Sequence, residues 1–161
     1  QESPHTPWPR LAMASLMEML NRPQESEAMY RVVLSMEPAN PWALNNLAYL
    51  LAIQRRDLGE AMQLIQKPLA MIGPIPSFLD TRALVYLAAK KPEAAIADLE
   101  RALETSKDPV IYFHLAQAYL QSHREKDARE ALARAREAGF EEASLYQLER
   151  RSYDRLVVDL K

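Results

Sequence analysis

The feature of this 161-residue chain that most constrains its fold is a set of small side chains returning at a nearly constant interval. Ala14, Ala48, Ala83 and Ala116 lie 34, 35 and 33 residues apart. A second series repeats at intervals of 35, 34 and 33 residues and consists of Ser26, Ala61, Ala95 and Ala128. Two series with one period indicate a repeat protein, in which each structural unit packs against its neighbours.

The residues between these positions have helical spacing. Large apolar residues recur three and four positions apart, as in Leu44, Leu47 and Leu51, which lie on one face of an α-helix. Only three glycines are present, and strand and hairpin signals are nearly missing. Four prolines mark predicted helix starts, where a missing N–H costs nothing: Pro23, Pro41, Pro92 and Pro109. The pattern predicts two helices per repeat.

These features resemble the tetratricopeptide repeat family, whose motif combines large residues, a Leu-small pair, an aromatic residue, a second small residue and a proline. The first copy is Arg10, Met13-Ala14, Met17, Ser26, Tyr30, Val33 and Pro38. The second is Leu44, Leu47-Ala48, Leu51, Ala61, Ile65 and Pro68. The third is Leu79, Arg82-Ala83, Tyr86, Ala95, Leu99 and Ala102. The fourth is Tyr112, Leu115-Ala116, Tyr119, Ala128, Leu132 and Ala135.

The chain departs from the family motif at several positions. Arg82 stands where leucine is usual, and Pro68 falls inside a predicted helix, which we expect it to kink or shorten. The turns within the repeats lack glycine. Asn21 tolerates the left-handed conformation of such a turn, whereas Arg55, Lys90 and His123 would adopt it with strain.

The resemblance implies an all-α, right-handed superhelix of four helix-turn-helix repeats followed by a C-terminal capping helix. The repeats are predicted at approximately 8–40, 41–75, 76–108 and 109–140 within one domain, 1–161. The cap, 141–161, is predicted from apolar residues at i, i+3, i+4 and i+7, namely Tyr153, Leu156, Val157 and Leu160. Its polar exterior is Asp154, Arg155 and Asp159.

The first helix is apolar on most of its circumference, and no polar cap precedes it. We expect this edge to pack against an upstream repeat or another copy of the chain, because a helix that is apolar all round is usually buried. The residues involved are Leu11, Met13, Leu16, Met17 and Leu20. Residues 1–9 contain three prolines and no charged-then-apolar leader, so no signal peptide can be read and the chain is expected to begin inside a longer protein.

In the family, the first helices of the repeats line the concave side of the superhelix, where ligands usually lie. Carried onto this chain, the groove residues are Asn45, Asn46, Tyr49, Asp80, Thr81, Leu84, Phe113, His114 and Gln117. Asn46 is the favoured ligand contact, because its amide can both donate to and accept from an extended peptide backbone. The alternative is that Asn46 hydrogen-bonds within its own helix or to water.

The resemblance therefore predicts a module that binds a protein or peptide and is not an enzyme. One alternative is a structural spacer or homo-oligomerisation segment of a longer solenoid, with the groove filled by residues 1–9. Another is a regulatory appendage of an enzyme. One subgroup of the family grips acidic chaperone tails with lysines, arginines and asparagines, but no lysine or arginine joins Asn45 and Asn46 here, so we expect no strong binding of such a tail.

Composition argues against several other functions. Twenty basic and twenty-two acidic residues alternate along the chain, which is not the footprint of a nucleic-acid-binding protein. No apolar run approaches the roughly 20 residues of a membrane span. There are no cysteines, so disulfides and thiolate metal sites are excluded and the cytoplasm is the default location. No cofactor is implied.

Sequence motifs for the common catalytic chemistries are also missing, including Gly-rich phosphate loops and H-E-x-x-H zinc motifs. The repeat register brings Asp80, Thr81 and His114 near one another, and a histidine oriented by a carboxylate can act as a base. A simple hydrogen bond between Asp80 and His114 is the competing interpretation, because no nucleophile accompanies the pair. The three histidines have no metal-site spacing.

Overall fold

The computed structural model describes residues 8–141, 145 and 147–160, and this part of the chain is helical with no strand. The helices are α1 (Trp8–Met19), α2 (Pro23–Met36), α3 (Pro41–Ile53), α4 (Leu58–Met71), α5 (Pro76–Ala88), α6 (Pro92–Leu103), α7 (Pro109–Gln121), α8 (Glu125–Glu137) and α9 (Gln147–Asp159). The first eight pack as four successive pairs, and α3, α5 and α7 lie side by side. The predicted all-α superhelix is confirmed.

The helices begin where the sequence provides a start signal. Proline occupies the first turn of α2, α3, α5, α6 and α7, where its missing N–H needs no partner. The side chain of Asn40 caps α3 by accepting from the Ala43 N–H, and Asp108 caps α7 by accepting from Val110. The four proline starts predicted from the sequence are confirmed.

The small residues of both periodic series are completely buried. A larger side chain at these positions would hold the paired helices apart, so they set the distance between helices. Larger residues then fill the space between repeats, among them Tyr30, Leu47, Ile65, Phe78 and Leu99, all fully buried. One core therefore runs along the whole stack.

The turns between the two helices of each repeat share one backbone geometry. Asn21, Arg55, Lys90 and His123 have φ values of 56, 54, 61 and 62°. After each of them, the next N–H donates to a carbonyl five residues back, as from Lys91 to Tyr86 at 2.9 Å. This is the Schellman arrangement that ends a helix, and it confirms the expected left-handed turns without glycine. Asp57, two residues after Arg55, is left-handed as well, with φ 44°.

Two departures from the motif have a structural explanation. Arg82 forms a two-pronged ion pair with Asp98 of α6, with Nε–Oδ2 and Nη2–Oδ1 distances of 2.7 and 2.6 Å, and so joins the two helices of its repeat. We expected Pro68 to kink or shorten its helix, and the shortening is wrong, because α4 continues to Met71 and is as long as α2, with 14 residues each. Pro68 lies close to the end of α4 and is buried in the core.

The two ends of the stack differ. At the C-terminal end, Leu145, Leu156 and Leu160 are buried and Asp154 is exposed, as a cap requires. At the N-terminal end, Met13, Leu16 and Leu20 of the predicted edge are exposed, together with Trp8 (69%) and Met19 (74%). Met17 is half-buried. The prediction is wrong for Leu11, which is buried in the core and does not belong to the exposed edge of α1.

Replacing Lys90 by glycine should stabilise the protein, because a side chain in the left-handed region costs about 1–2 kcal/mol, which exceeds the flexibility that glycine adds to the unfolded chain. We expect Lys90→Gly to raise the free energy of unfolding by about 0.5–1 kcal/mol, measured by urea denaturation. Lys67→Gly, at an exposed position within α4, is the matched control and should lower it by a similar amount. A decrease for Lys90→Gly would contradict the strain argument.

Candidate functional site on the first-helix face

The first helices of the repeats form one face of the stack, and this face carries two cavities. We call the one at the amino ends of α5 and α7 the amino-end cavity; its volume is about 610 Å³. The carboxyl-end cavity, of about 320 Å³, lies at the carboxyl ends of α3, α5 and α7, with α9 as its further wall.

Five of the nine predicted groove residues line the amino-end cavity: Asn45, Asn46, Tyr49, Asp80 and Thr81. The structure adds lining residues that the sequence analysis missed, including Glu18, Ser77, Ser106 and Asp108. Glu18 comes from the end of α1, and Ser106 and Asp108 from the loop before α7. The repeat motif therefore predicts only the lining residues on α3 and α5. The end of α1 and the loop before α7 supply further lining residues.

The two asparagines form a chain of hydrogen bonds that leads out of the cavity. Asn45 Nδ2 donates to Asn46 Oδ1 at 3.0 Å, and Asn46 Nδ2 donates to the Tyr30 hydroxyl at 3.2 Å. Burial of Tyr30 and the nearby Glu18 raise the pKa of this hydroxyl, which stays protonated. Asn46 therefore hydrogen-bonds to its helix neighbour and to α2, and it holds Asn45 in one orientation.

Asn45 is the more unusual of the two, because it is only 7% exposed and its Oδ1 accepts no hydrogen bond from the described residues. A buried polar atom without a partner costs about 1–3 kcal/mol. With its Nδ2 already donating to Asn46, what remains of the Asn45 amide is an acceptor.

His114 is buried on α7, between the carboxylates of Asp80 on α5 and Glu149 on α9. Its Nδ1 is 2.7 Å from Asp80 Oδ1, and its Nε2 is 3.0 Å from Glu149 Oε1 of α9. Burial by itself lowers the pKa of an imidazole, but here the two carboxylates outweigh burial and raise the pKa of His114 to about 10. A histidine that keeps its proton at neutral pH is a poor general base, so the arrangement acts as an ion-paired strut between α5, α7 and α9.

Leu84 and Gln117 line the carboxyl-end cavity and not the amino-end one. Arg55, Lys90 and Arg155 bring positive charge to it, and Glu149 and Asp159 bring negative charge. Nothing in the repeat motif predicts this cavity, because its outer wall is α9, which lies beyond the last repeat.

Phe113 and His114 are corrections to the predicted groove. Phe113 is completely buried, and its ring lies 5.1 Å from that of Phe140 and 5.9 Å from that of Tyr153 on α9. His114 is equally inaccessible. Both belong to the packing between the fourth repeat and the cap, because α9 covers the part of α7 that the motif register assigns to a ligand.

Two further properties follow from the described part of the chain. It has no group of three or more His, Cys, Asp or Glu residues that could hold a metal ion. None of its helices is both long and apolar enough to span a membrane.

The fold and this face define a class, the all-α superhelices built from repeated helix pairs. PilF from Pseudomonas aeruginosa has this fold, with 20% identity over 98% of this chain and 74% of that chain and a TM-score of 0.68. MamA from Desulfovibrio magneticus matches 84% of this chain and 76% of that chain at 17% identity, with a TM-score of 0.67. YrrB, described as a TPR protein with an unusual peptide-binding site, matches 86% of this chain and 71% of that chain at 18% identity and a TM-score of 0.62.

Sequence comparison supports the family that the motif predicted. The family model described as tetratricopeptide repeat matches residues 86–151. A TPR repeat-containing protein of Pseudomonas aeruginosa is 32% identical over 102 residues, which cover 63% of this chain and 17% of that protein. The chain thus spans about a sixth of the length of this curated relative. These matches and the structural neighbours support the tetratricopeptide repeats predicted from the sequence.

The ion pairs of His114 predict that the free energy of unfolding depends on pH. Its folded-state pKa of about 10 lies above the ordinary value of 6.5, so its stabilising contribution is complete below about pH 6.5 and is lost as pH rises through 10. We expect wild type to exceed His114→Gln in free energy of unfolding at pH 6, by on the order of a few kcal/mol, and the difference to shrink by pH 10.

Urea denaturation of both proteins across this pH range measures the effect. His123→Gln, at an exposed turn, is the control and should differ little from wild type at either pH. A difference between wild type and His114→Gln that stays constant with pH would show that His114 carries no extra proton in the folded state.

Proposed function

We propose that the first-helix face is the concave binding surface of this protein and that the amino-end cavity receives an extended segment of another protein. Tetratricopeptide repeat proteins are in general non-enzymatic interaction scaffolds, so the function that we assign to this surface is binding. We further propose that the four repeats and the cap act as one domain, 1–161, with the surface shared between repeats.

The observation that carries this proposal is a cavity of about 610 Å³ whose polar lining comes from three successive repeats, with Asn46 on α3, Ser77 on α5 and Ser106 before α7. An extended peptide exposes its own N–H and C=O groups at regular intervals, so it can hydrogen-bond to polar groups along such a wall. YrrB, similar in fold, is described as having an unusual peptide-binding site, which supports peptide binding as a use of this architecture.

A second candidate function is assembly through the edge formed by α1. Its motivation is the exposure of Trp8, Met13, Leu16 and Met19 along one helix. Contiguous apolar surface of this kind is typical of protein interfaces. This edge would join the stack to a further repeat or to another copy while leaving the amino-end cavity accessible.

Filling the amino-end cavity with a larger side chain should abolish partner binding. Ser77 is exposed in the cavity wall, so Ser77→Tyr blocks the space without removing the Asn45–Asn46–Tyr30 hydrogen bonds. Ala133→Tyr, on the exposed side of α8, is the matched control. In quantitative pull-downs from cell extract, we expect Ser77→Tyr to recover at least about tenfold less partner than wild type or Ala133→Tyr, equivalent to about 1.4 kcal/mol.

Circular dichroism first establishes that all three proteins are folded. Equal recovery of every partner by the three forms would contradict a binding role for the cavity. Recovery of the chain itself as the main partner, unaffected by Ser77→Tyr, would favour the α1 edge instead.

A further inference from the structure

We infer that the carboxyl-end cavity binds a small apolar acid, a molecule with a hydrocarbon body of about eight carbons and one carboxylate. This cavity is separate from the amino-end cavity, and the inference does not depend on the proposed function. Three observations carry it: the apolar floor of the cavity, the space that α9 leaves above that floor, and the cationic side chains at the rim.

The floor of the carboxyl-end cavity is apolar and comes from the carboxyl ends of three first helices. α3 contributes Ile53, α5 contributes Leu84 and Leu87, and α7 contributes Leu120. Leu84 and Leu87 are buried, and Ile53 and Leu120 are half-buried. A hydrocarbon ligand lying on these side chains would remove apolar surface from water, which is favourable. The floor therefore favours a ligand with an apolar body.

Helix α9 covers this floor without filling the space above it. Apart from Leu156, the α9 residues in the cavity wall are polar, namely Glu149, Ser152, Arg155 and Asp159. Closely packed helices leave few voids larger than a water molecule, yet about 320 Å³ remains open here. Since a cavity of about 150 Å³ holds benzene, this one has room for a ligand of about ten to twelve non-hydrogen atoms.

Three exposed cationic side chains border the cavity: Arg55, Lys90 and Arg155. Arg55 and Lys90 occupy the same position in successive left-handed turns, so the repeat itself brings both to the cavity. In the part of the chain that the structure describes, none of the three lies within ion-pairing distance of a carboxylate, whereas the neighbouring Arg56 pairs with Glu27. Their charged groups can therefore donate hydrogen bonds to a ligand carboxylate.

The acidic residues at the cavity do not remove this preference. Glu149 is buried and already hydrogen-bonds to protonated His114. Among the described lining residues, Asp159 is the one exposed carboxylate, and it accompanies three cations. Cations just after a helix end also balance the helix dipole, but this interaction is weak at exposed positions and is screened by salt. An anionic head group at the rim therefore meets more cations than carboxylates.

Octanoate, octanol and octylammonium test the inference, because they share one hydrocarbon chain and differ in the charge of the head group. At about pH 7 octanoate is negative and octylammonium is positive. We expect calorimetry with the full chain to give octanoate a Kd on the order of a millimolar or below, at least about tenfold lower than that of octylammonium, with octanol in between. Backbone amide NMR shifts should centre on Ile53, Leu87, Lys90 and Leu120.

A cavity-filling variant locates the site. Ala88 is half-buried in the cavity wall at the end of α5, so Ala88→Phe places a ring in the space that the ligand needs. We expect Ala88→Phe to lower the affinity for octanoate by about tenfold or more. Ala97→Phe, at an exposed position of α6, is the matched control and should bind octanoate as wild type does.

A pair of charge variants tests the rim. Lys90→Gln with Arg155→Gln removes two of the three cations but leaves the apolar floor, so octanoate should lose its advantage over octanol while octanol still binds. Lys67→Gln with Arg101→Gln removes the same charge from exposed positions on second helices and should keep the advantage.

Several results would overturn the inference. Equal binding of the three compounds would do so, as would no binding of octanoate at about ten millimolar. Octanoate binding that Ala88→Phe leaves unchanged, or shifts centred on Trp8 and Leu16 of α1, would show adsorption to apolar surface elsewhere. If circular dichroism shows that Ala88→Phe is unfolded, an unchanged head-group preference in Lys90→Gln with Arg155→Gln would count against the site.

This inference and the proposed function can fail separately. Ser77 lies in the wall of the amino-end cavity and not of the carboxyl-end one, so Ser77→Tyr should bind octanoate as wild type does. A loss of octanoate binding in Ser77→Tyr, with the fold intact, would contradict the assignment of the acid to the carboxyl-end cavity.

Discussion

The structure depends on the close approach of helices at completely buried small residues. Ala48, Ala83 and Ala116 sit on first helices and Ala61 and Ala95 on second helices, and none is exposed to solvent. Because these side chains are short, α3, α5 and α7 can lie side by side with their ends in register. That alignment brings the polar residues near the amino ends of α3 and α5 into one cavity, so the candidate site is a direct product of the repeat.

Much of the architecture follows from sequence because the period of the small residues, the prolines at helix starts and the left-handed turns are local signals. The misplaced residues are those whose surroundings are set by distant parts of the chain. Phe113 and His114 have the motif register of groove residues, but α9 packs over them. Leu11 has the apolar character of an edge, yet the direction it faces depends on how α1 docks on α2. Pro68 is tolerated because of where it lies in the packed core.

The capping helix connects the two cavities of the first-helix face through ion pairs and aromatic packing. His114 connects Asp80, which borders the amino-end cavity, to Glu149, which borders the carboxyl-end cavity. The aromatic contacts of Phe113 with Phe140 and Tyr153 hold α9 in the position that this strut requires. Phe140 and Tyr153, the aromatic residues after Gly139, could have indicated this packing. The sequence alone does not tell which part of α7 they cover. In the same way, the roles of Asn45 and Asn46 depend on the position of Tyr30, which lies on another helix.

The central claim is that small residues set the spacing of the stack, and a pair of alanine substitutions within one repeat tests it most directly. Ala83→Leu adds a large side chain where α5 is completely buried, and Ala97→Leu adds the same side chain at an exposed position of α6. The claim predicts that Ala83→Leu lowers the free energy of unfolding in urea by about 1–3 kcal/mol or more, while Ala97→Leu changes it by less than about 0.5 kcal/mol. Equal, small effects of the two substitutions would contradict the claim, because a leucine would then fit where the helices are held closest.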